Sequence, residues 1–293
     1  IMLMSIPRMA YTFLSERVKS QVKVPVITSV RINTLKLAEE ILDNEQADLV
    51  SIGRPLIVDP ELPAKYKNGQ LDDIRTCIAC NQGCFDSLLN FKSVSCTYNA
   101  MVGHEGERPI VRTDKPKKVV VVGGGPAGME AARVLALRGH HVTLYERNDQ
   151  LGGQLRYAYI PPGREEIQNV ITYLERQILK LKVNIKTGKE ADLQMLEKER
   201  PDAVIIATGG QPIMLDLPGI NGENVYIASD VLEGKASLGR EVVIIGGGTV
   251  GCEVALYAAK QGAMRPEVAC FLLKHKVLDA KDIVEYTSKG NRN

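Results

Sequence analysis

Between residues 24 and 52 the spacing of apolar positions changes twice. "VPVIT" (24–28) and "DLVSI" (48–52) are brief, β-branched and bounded by turn signals, which predicts two short buried strands. Between them, "INTLKLAEEILDN" sets Leu35, Ala38, Ile41 and Leu42 on one helical face, with Asn33 or Thr34 as its cap. "YTFLSERVKSQV" predicts another helix ahead of the first strand. The sum is β–α–β, the unit of a parallel sheet. Residues 60–116 carry few periodic segments and read as a linker with a loop.

The pattern sharpens at residue 118. "KVVVVGGGPAGMEAARVLALRGHHVTLYER" is strand, glycine turn, helix, turn and strand in one unbroken run. A helix is expected at about 164–182, then strands at "VNIKTG" and "DAVIIATGG". From 241, "EVVIIGGGTVGCEVALYAAKQG" repeats the plan 123 positions after its first occurrence, a duplication rather than a short-period repeat. "RPEVACFLLKHKVLDAKDIVEYTSKG" reads as helical with Pro266 in its first turn, which puts the second strand of that unit beyond Asn293.

Composition excludes more than it identifies. The 293 residues, 44% of them hydrophobic, suffice for two ordinary domains or one large one. A net charge of +2, with no basic block and no acidic tail, points to no nucleic acid partner. No apolar run reaches the roughly 18–20 residues that span a bilayer. The apolar start, "IMLMSIPRMAY", lacks a basic leader and a small-residue cleavage site, so a cytoplasmic protein with no membrane partner is expected. Assembly as a homo-oligomer stays open.

Gly123, Gly125 and Gly128 form G-x-G-x-x-G between a strand and a helix. The first glycine permits the turn, the second lets a pyrophosphate approach main-chain N–H groups, and the third lets helix and strand pack closely. Glu146 ends the next strand, 23 positions on, where a carboxylate can bond a ribose hydroxyl. A ligand-free glycine turn is the bland alternative, but strand, helix, second strand and acid are all in place. Gly246, Gly248 and Gly251 repeat the fingerprint without a convincing acid after it, so NADH and NADPH are not distinguished.

Four of the six cysteines lie within 20 residues: Cys77-x2-Cys80-x3-Cys84-x11-Cys96. A disulfide framework belongs to small secreted chains, so clustered thiols here point to metal. Short, unequal steps with a flexible Gly83 suit thiolates wrapped around an iron–sulfur cluster. Structural zinc usually takes two C-x2-C pairs, and only one exists here; zinc stays open on spacing alone. Cys252 and Cys270 stand alone in apolar surroundings and are expected in the core.

With both motifs in view, the chain resembles the iron–sulfur flavoenzymes of the 2,4-dienoyl-CoA reductase, 2-enoate reductase and trimethylamine dehydrogenase family. "VPVITSVRIN" and "ADLVSIGRPLIVDPEL" look like the last two strands of that family's FMN barrel. "CIACNQGC" through Cys96 matches its 4Fe-4S segment, and "KKVVVVGGGPAGMEAARVLALRGHHVTLYERNDQLGGQL" its FAD signature. The resemblance implies an FAD site that includes Glu146, Gly153 and Gln154, with Thr208 and Gly209 in the second flavin motif, "VIIATGG". It implies that Gly53 and Arg54 bind the FMN phosphate with Arg31 beside them. Val30 departs from the family, which usually has glycine there. Ala100 and His104 also replace residues that are usually proline and arginine.

The expected fold class is α/β: the C-terminal remnant of a TIM barrel (1–75), an iron–sulfur segment and linker (76–114), an FAD-binding domain (115–238) and the start of an NAD(P)-binding domain (239–293). Two strands cannot close a barrel of eight, so the chain is expected to be part of a longer polypeptide that carries the catalytic acid and the substrate pocket. The implied activity runs from NAD(P)H through FAD, the cluster and FMN to an activated alkene, a small-molecule substrate of enoate or enoyl-thioester class. Rivals are an amine dehydrogenase passing electrons outward to a carrier, and a non-catalytic electron-transfer module.

Overall fold

The computed structural model describes residues 3–239, 241–261 and 266–289. The chain divides into two units, Ile1–Tyr159 with Gly163–Gly210, and Ile160–Pro162 with Gln211–Asn293.

In the first unit α1 (Thr12–Lys19) precedes β1 (Ile27–Thr28), α2 (Leu35–Asp43) and β2 (Leu49–Val50). β1 and β2 pair in parallel, with Ile27 opposite Leu49. Both strands are shorter than the apolar runs that predict them, because each has one neighbour to pair with. Thr34 caps α2, its hydroxyl accepting from the Leu37 N–H. Ala38 and Ile41 of α2 are buried with Ile32 and Ala47, and full burial of a side chain like Ile41 contributes about 1.5–3 kcal/mol. Leu42 instead leaves that face and is exposed.

Short helices α3 (Arg54–Val58), α4 (Leu62–Lys67) and α5 (Phe85–Leu89) follow where few periodic segments were expected. A four-stranded parallel sheet then forms from β3 (Lys118–Val122), β4 (His141–Tyr145), β5 (Asn184–Lys186) and β6 (Ala203–Ile206), in the order β5-β4-β3-β6. α6 (Pro126–Leu137) joins β3 to β4, and α8 (Gln168–Lys180) lies against α6. α7 (Leu155–Ala158) is a single turn between β4 and α8. Val121, Leu144, Met129 and Ile178 are the fully buried centre of this packing. The chain leaves β3 for β4 and β5 on one side and returns to β6 on the other. That reversal opens a crevice at the carboxyl ends of β3 and β6.

α9 (Leu193–Glu199) lies before β6 and is not foreseen above, although its signals are present. Asp192 caps it through the Met195 N–H, and it ends at Arg200 in a left-handed turn (φ 47°).

The second unit holds α10 (Ala228–Leu232), α11 (Thr249–Lys260), α12 (Pro266–Lys274) and α13 (Ala280–Lys289). Val231 and Leu232 of α10 and Val254 of α11 are its buried contacts. Three expectations change here. Residues 241–245 pair with no strand among the described residues, and Val243 and Ile245 are exposed. The helical stretch from 266 is two helices, because the chain turns at Lys276 (φ 54°) and the Val277 N–H closes onto the Leu272 carbonyl. Cys252 and Cys270 are exposed rather than packed in a core, since the helix faces that carry them are uncovered.

Candidate functional site

The first glycine fingerprint sits in the crevice at the carboxyl end of β3. Gly123 has φ 108°, and a Cβ on it would lie 2.3 Å from the Ala207 carbonyl oxygen. A Cβ on Gly128 would lie 1.8 Å from the Gly123 carbonyl oxygen, so α6 starts as close to β3 as backbone allows. Gly125 is the N-cap of α6, and the first N–H groups of that helix have no partner within it.

Glu146 stands at the end of β4 and is buried. Its Oε2 accepts the Gly124 N–H at 2.7 Å, and its Oε1 accepts from the Asn148 N–H and Nδ2, both at 2.8 Å. An ionised carboxylate offers about four acceptor positions, so one remains after these three. Gly153 comes close enough to Gly125 that a Cβ on it would meet the Gly125 Cα at 2.9 Å. Gln154 donates to the Gly210 carbonyl at 2.8 Å, and Thr208 borders Gly123. Gly123, Gly125, Glu146, Gly153, Gln154, Thr208 and Gly209 therefore share one end of one sheet. A hollow of about 560 Å³ lies at the opposite strand ends, lined by Lys118, His140, His141 and Asn184. Ligands of open parallel sheets bind at the carboxyl ends, so that hollow is not assigned.

The second fingerprint reproduces the backbone of the first. Gly246 has φ 110°, a Cβ on Gly251 would lie 1.9 Å from the Gly246 carbonyl oxygen, and Gly248 caps α11 at φ −75°, ψ −178°, against −73° and −179° for Gly125.

The segment that carries the four cysteines is tightly curled. Ala79 (φ 52°) and Asn81 (φ 63°) are both left-handed, and the Asp86 N–H closes back on the Asn81 carbonyl at 2.9 Å. Cys96 is brought in by Gly83: the Ser95 N–H donates to the Gly83 carbonyl at 2.8 Å, and a Cβ on Gly83 would lie 2.9 Å from the Cys96 Cα. Main-chain N–H groups already point at sulfur, Ala79 to Cys77 Sγ and Tyr98 to Cys96 Sγ, each at 3.4 Å. Burial pushes the Cys77 thiol up to about 11, against the opposing pull of the Ala79 N–H and the Arg54 charge. Burial raises Cys96 as well, and both thiols feel the charges of Cys80 and Cys84. Among the described residues, no three His, Cys, Asp or Glu side chains are grouped as ligands of a single metal ion.

A cleft of about 430 Å³ joins Cys77 and Cys84 to the ends of β1 and β2. Its walls include Val30, Arg31, Asn33, Gly53, Arg54, Cys77 and Cys84. Arg54 reaches across it to the Asn81 side-chain oxygen. Arg31 lies beside Gly53 and Arg54 in this lining. Its guanidinium is buried and engaged by protein: Nε donates to the Ile6 carbonyl at 2.8 Å, Nη2 to the Met4 carbonyl at 3.2 Å, and Nη1 and Nη2 to Glu166 at 3.1 and 3.0 Å. The Arg31 backbone lines the cleft while its charge is neutralised behind it.

Sequence reasoning missed the groups that support this site. Glu166 also accepts from Arg8 at 2.7 Å, and Asn33 donates to the Cys77 carbonyl at 3.0 Å. The Arg75 guanidinium stands over the rings of both Tyr98 and Tyr173, 5.2 and 4.9 Å from their centroids, beside Glu130. Pairs so far apart in sequence leave no local pattern.

Residues 102–159 and 117–289 match the pyridine nucleotide-disulphide oxidoreductase family, and residues 6–73 match the NADH:flavin oxidoreductase / NADH oxidase family. The chain is 41% identical to a metal reductase of Desulforamulus reducens over 99% of its own length and 44% of the relative's. It is 44% identical to an NADH oxidase of Thermoanaerobacter brockii over 86% of its length and 40% of that protein's. The solved complex of 2-naphthoyl-CoA reductase with 2-naphthoyl-CoA superimposes with a TM-score of 0.84 at 36% identity, over 95% of this chain and 44% of that one. The chain thus spans less than half the length of these proteins. Among the described residues no helix is long and apolar enough to cross a membrane. With its glycine-turn sheet and the unit that follows matched over more than half of its length, the chain belongs to the pyridine nucleotide-disulphide oxidoreductase family, joined at residues 6–73 to a stretch of the NADH:flavin oxidoreductase / NADH oxidase family.

Proposed function

We propose that this chain is the cofactor-holding part of an NAD(P)H-dependent iron–sulfur flavoprotein that reduces an activated C=C bond. The observation that carries the reading is the cleft in which Cys77 and Cys84 face Gly53 and Arg54, because it joins a sulfur-rich loop to the phosphate end of a flavin barrel. The likeness to a structure holding an aromatic acyl-CoA supports a conjugated thioester as the substrate class. A cytoplasmic location and a four-segment domain plan follow from the same reading.

The residues fit the groups. At the first fingerprint the Gly124–Gly125 backbone and the α6 N-terminus would take a pyrophosphate, and the free acceptor position of Glu146 a ribose hydroxyl of FAD. Gly246, Gly248 and Gly251 would take the nicotinamide dinucleotide by the same geometry. A four-iron cluster takes one thiolate per iron, which Cys77, Cys80, Cys84 and Cys96 would supply. The N–H groups of Ala79 and Tyr98, already aimed at sulfur, would stabilise the thiolate charge. Gly53 and Arg54 would hold the FMN phosphate.

When bound, these groups supply hydride transfer and single-electron transfer; the chain supplies position and charge. Gly83 fixes how near Cys96 comes to the other three sulfurs. Arg54 places positive charge between cleft and cysteine loop, pulling the Cys77 thiol toward its ionised form. Anaerobic purification of the full-length protein tests the reading through its content of iron, sulfide, FAD and FMN. Four irons with both flavins are expected for each chain; zinc in place of iron, or a single flavin, would refute it.

A further inference from the structure

Val30 and Arg31 adopt consecutive left-handed conformations, φ 82° and 59°, at the mouth of the cleft. Neither is glycine, and Val30 is β-branched, the residue type least suited to positive φ. Such a conformation persists only where its surroundings over-determine it. Among the described residues, neither the Val30 nor the Arg31 N–H has a protein acceptor, although both residues line the cleft. Two adjacent free N–H groups at a cleft wall are anion receptors in waiting.

What holds the kink lies behind it. The Arg31 guanidinium is 2% exposed and is gripped by Glu166, itself 12% exposed, and by the carbonyls of Met4 and Ile6. Glu166 comes from the flavin-sheet side of this unit, just ahead of α8, and also takes Arg8 at 2.7 Å. Asn33 donates to Glu166 at 3.5 Å, and its own side-chain oxygen is buried with no partner. The carboxylate is thus the hub of a part-buried network one residue behind two unsatisfied N–H groups.

The geometry points to Glu166 as a positioning residue for an anion in this cleft: by holding the Arg31 side chain it fixes the strained Val30–Arg31 backbone, whose N–H groups receive the phosphate of FMN. The inference rests on the FMN reading above and adds the device that pre-forms its phosphate site. It assigns the contact to the main chain and removes it from the Arg31 cation.

The test is a titration of the FMN-depleted full-length protein with FMN and, in parallel, riboflavin, which lacks the phosphate. Glu166→Gln is expected to weaken FMN about tenfold, the worth of a charge-assisted contact, while riboflavin changes less than about twofold. Adding Val30→Gly to Glu166→Gln is expected to recover part of the loss, because glycine accepts positive φ without a clamp. Arg8→Met, on a half-exposed partner, carries the same test with a smaller loss should Glu166→Gln fail to fold. Unchanged FMN binding in a folded variant, equal loss of FMN and riboflavin, or no recovery with glycine would each overturn the positioning role. A wild-type protein that binds FMN no better than riboflavin would instead overturn the phosphate reading itself.

Discussion

A Cβ on Gly83 would stand 2.9 Å from the Cα of Cys96 and 2.8 Å from the Ser95 carbonyl oxygen. Both neighbours are main chain, so neither can swing aside as a flexible side chain would. Gly83→Ala must push the Cys96 strand away from the other three cysteines. It is expected to cost about 1–3 kcal/mol in stability, as overpacking does, and to lower iron content. Thermal unfolding and iron analysis check this; an alanine variant with full iron would show that the two segments are not held together at Gly83.

Glu146 bonds the Gly124 N–H inside the glycine turn, so it shapes the turn in addition to the ribose contact proposed for it. Glu146→Ala is expected to release FAD, with affinity falling at least about tenfold, since the carboxylate supplies charge-assisted hydrogen bonds. Flavin content after gel filtration measures it. Retention of FAD at wild-type occupancy would remove Glu146 from the site.

Val30 occupies positive φ where glycine is at ease. Val30 is 38% exposed, so little burial is lost on truncation. Relief of strain of about 1–2 kcal/mol exceeds the entropy cost of glycine, about 0.5–1 kcal/mol. Val30→Gly is expected to raise stability by about 1 kcal/mol in urea unfolding. Val30→Ala should not, since alanine keeps a Cβ.

Burial opposes the ionisation of Glu166, and the hydrogen bonds from Arg31 and Arg8 outweigh it, holding its carboxyl below the ordinary value. A folded-state pKa below the unfolded one stabilises the fold above the unfolded pKa, and this contribution is lost as pH falls through the folded value. Glu166→Gln is therefore expected to cost about 2–3 kcal/mol near pH 7 and progressively less below about pH 4.5. Thermal melts of both proteins across that range decide it. A gap that stays constant with pH would mean the carboxylate charge contributes nothing.

What the sequence made legible is what local chemistry imposes. The turn at Gly123 needs a residue tolerant of positive φ within a few positions of the helix it starts, so the fingerprint is short and visible, and the same holds at Gly246. Thr34 could be read as a cap because its partner, the Leu37 N–H, is three residues away. Glu166 and Arg31 are 135 positions apart, and "GREEIQ" gives no hint that its second acid is half-buried against an arginine. The exposure of Cys252 and Cys270 was equally hidden, because burial depends on what covers a helix face rather than on the residues along it. The helix at Leu193–Glu199 could have been found: Asp192 before it and Pro201 just beyond it are ordinary start and stop signals.

The most direct measurement is stopped-flow reduction of full-length Cys84→Ser by NAD(P)H, followed by flavin absorbance and by turnover of an enoyl thioester. Rapid reduction of the flavin at the Gly123 fingerprint, with electron delivery to the alkene abolished, is the predicted outcome. Alkene reduction at the wild-type rate would contradict an electron path through the cysteine loop.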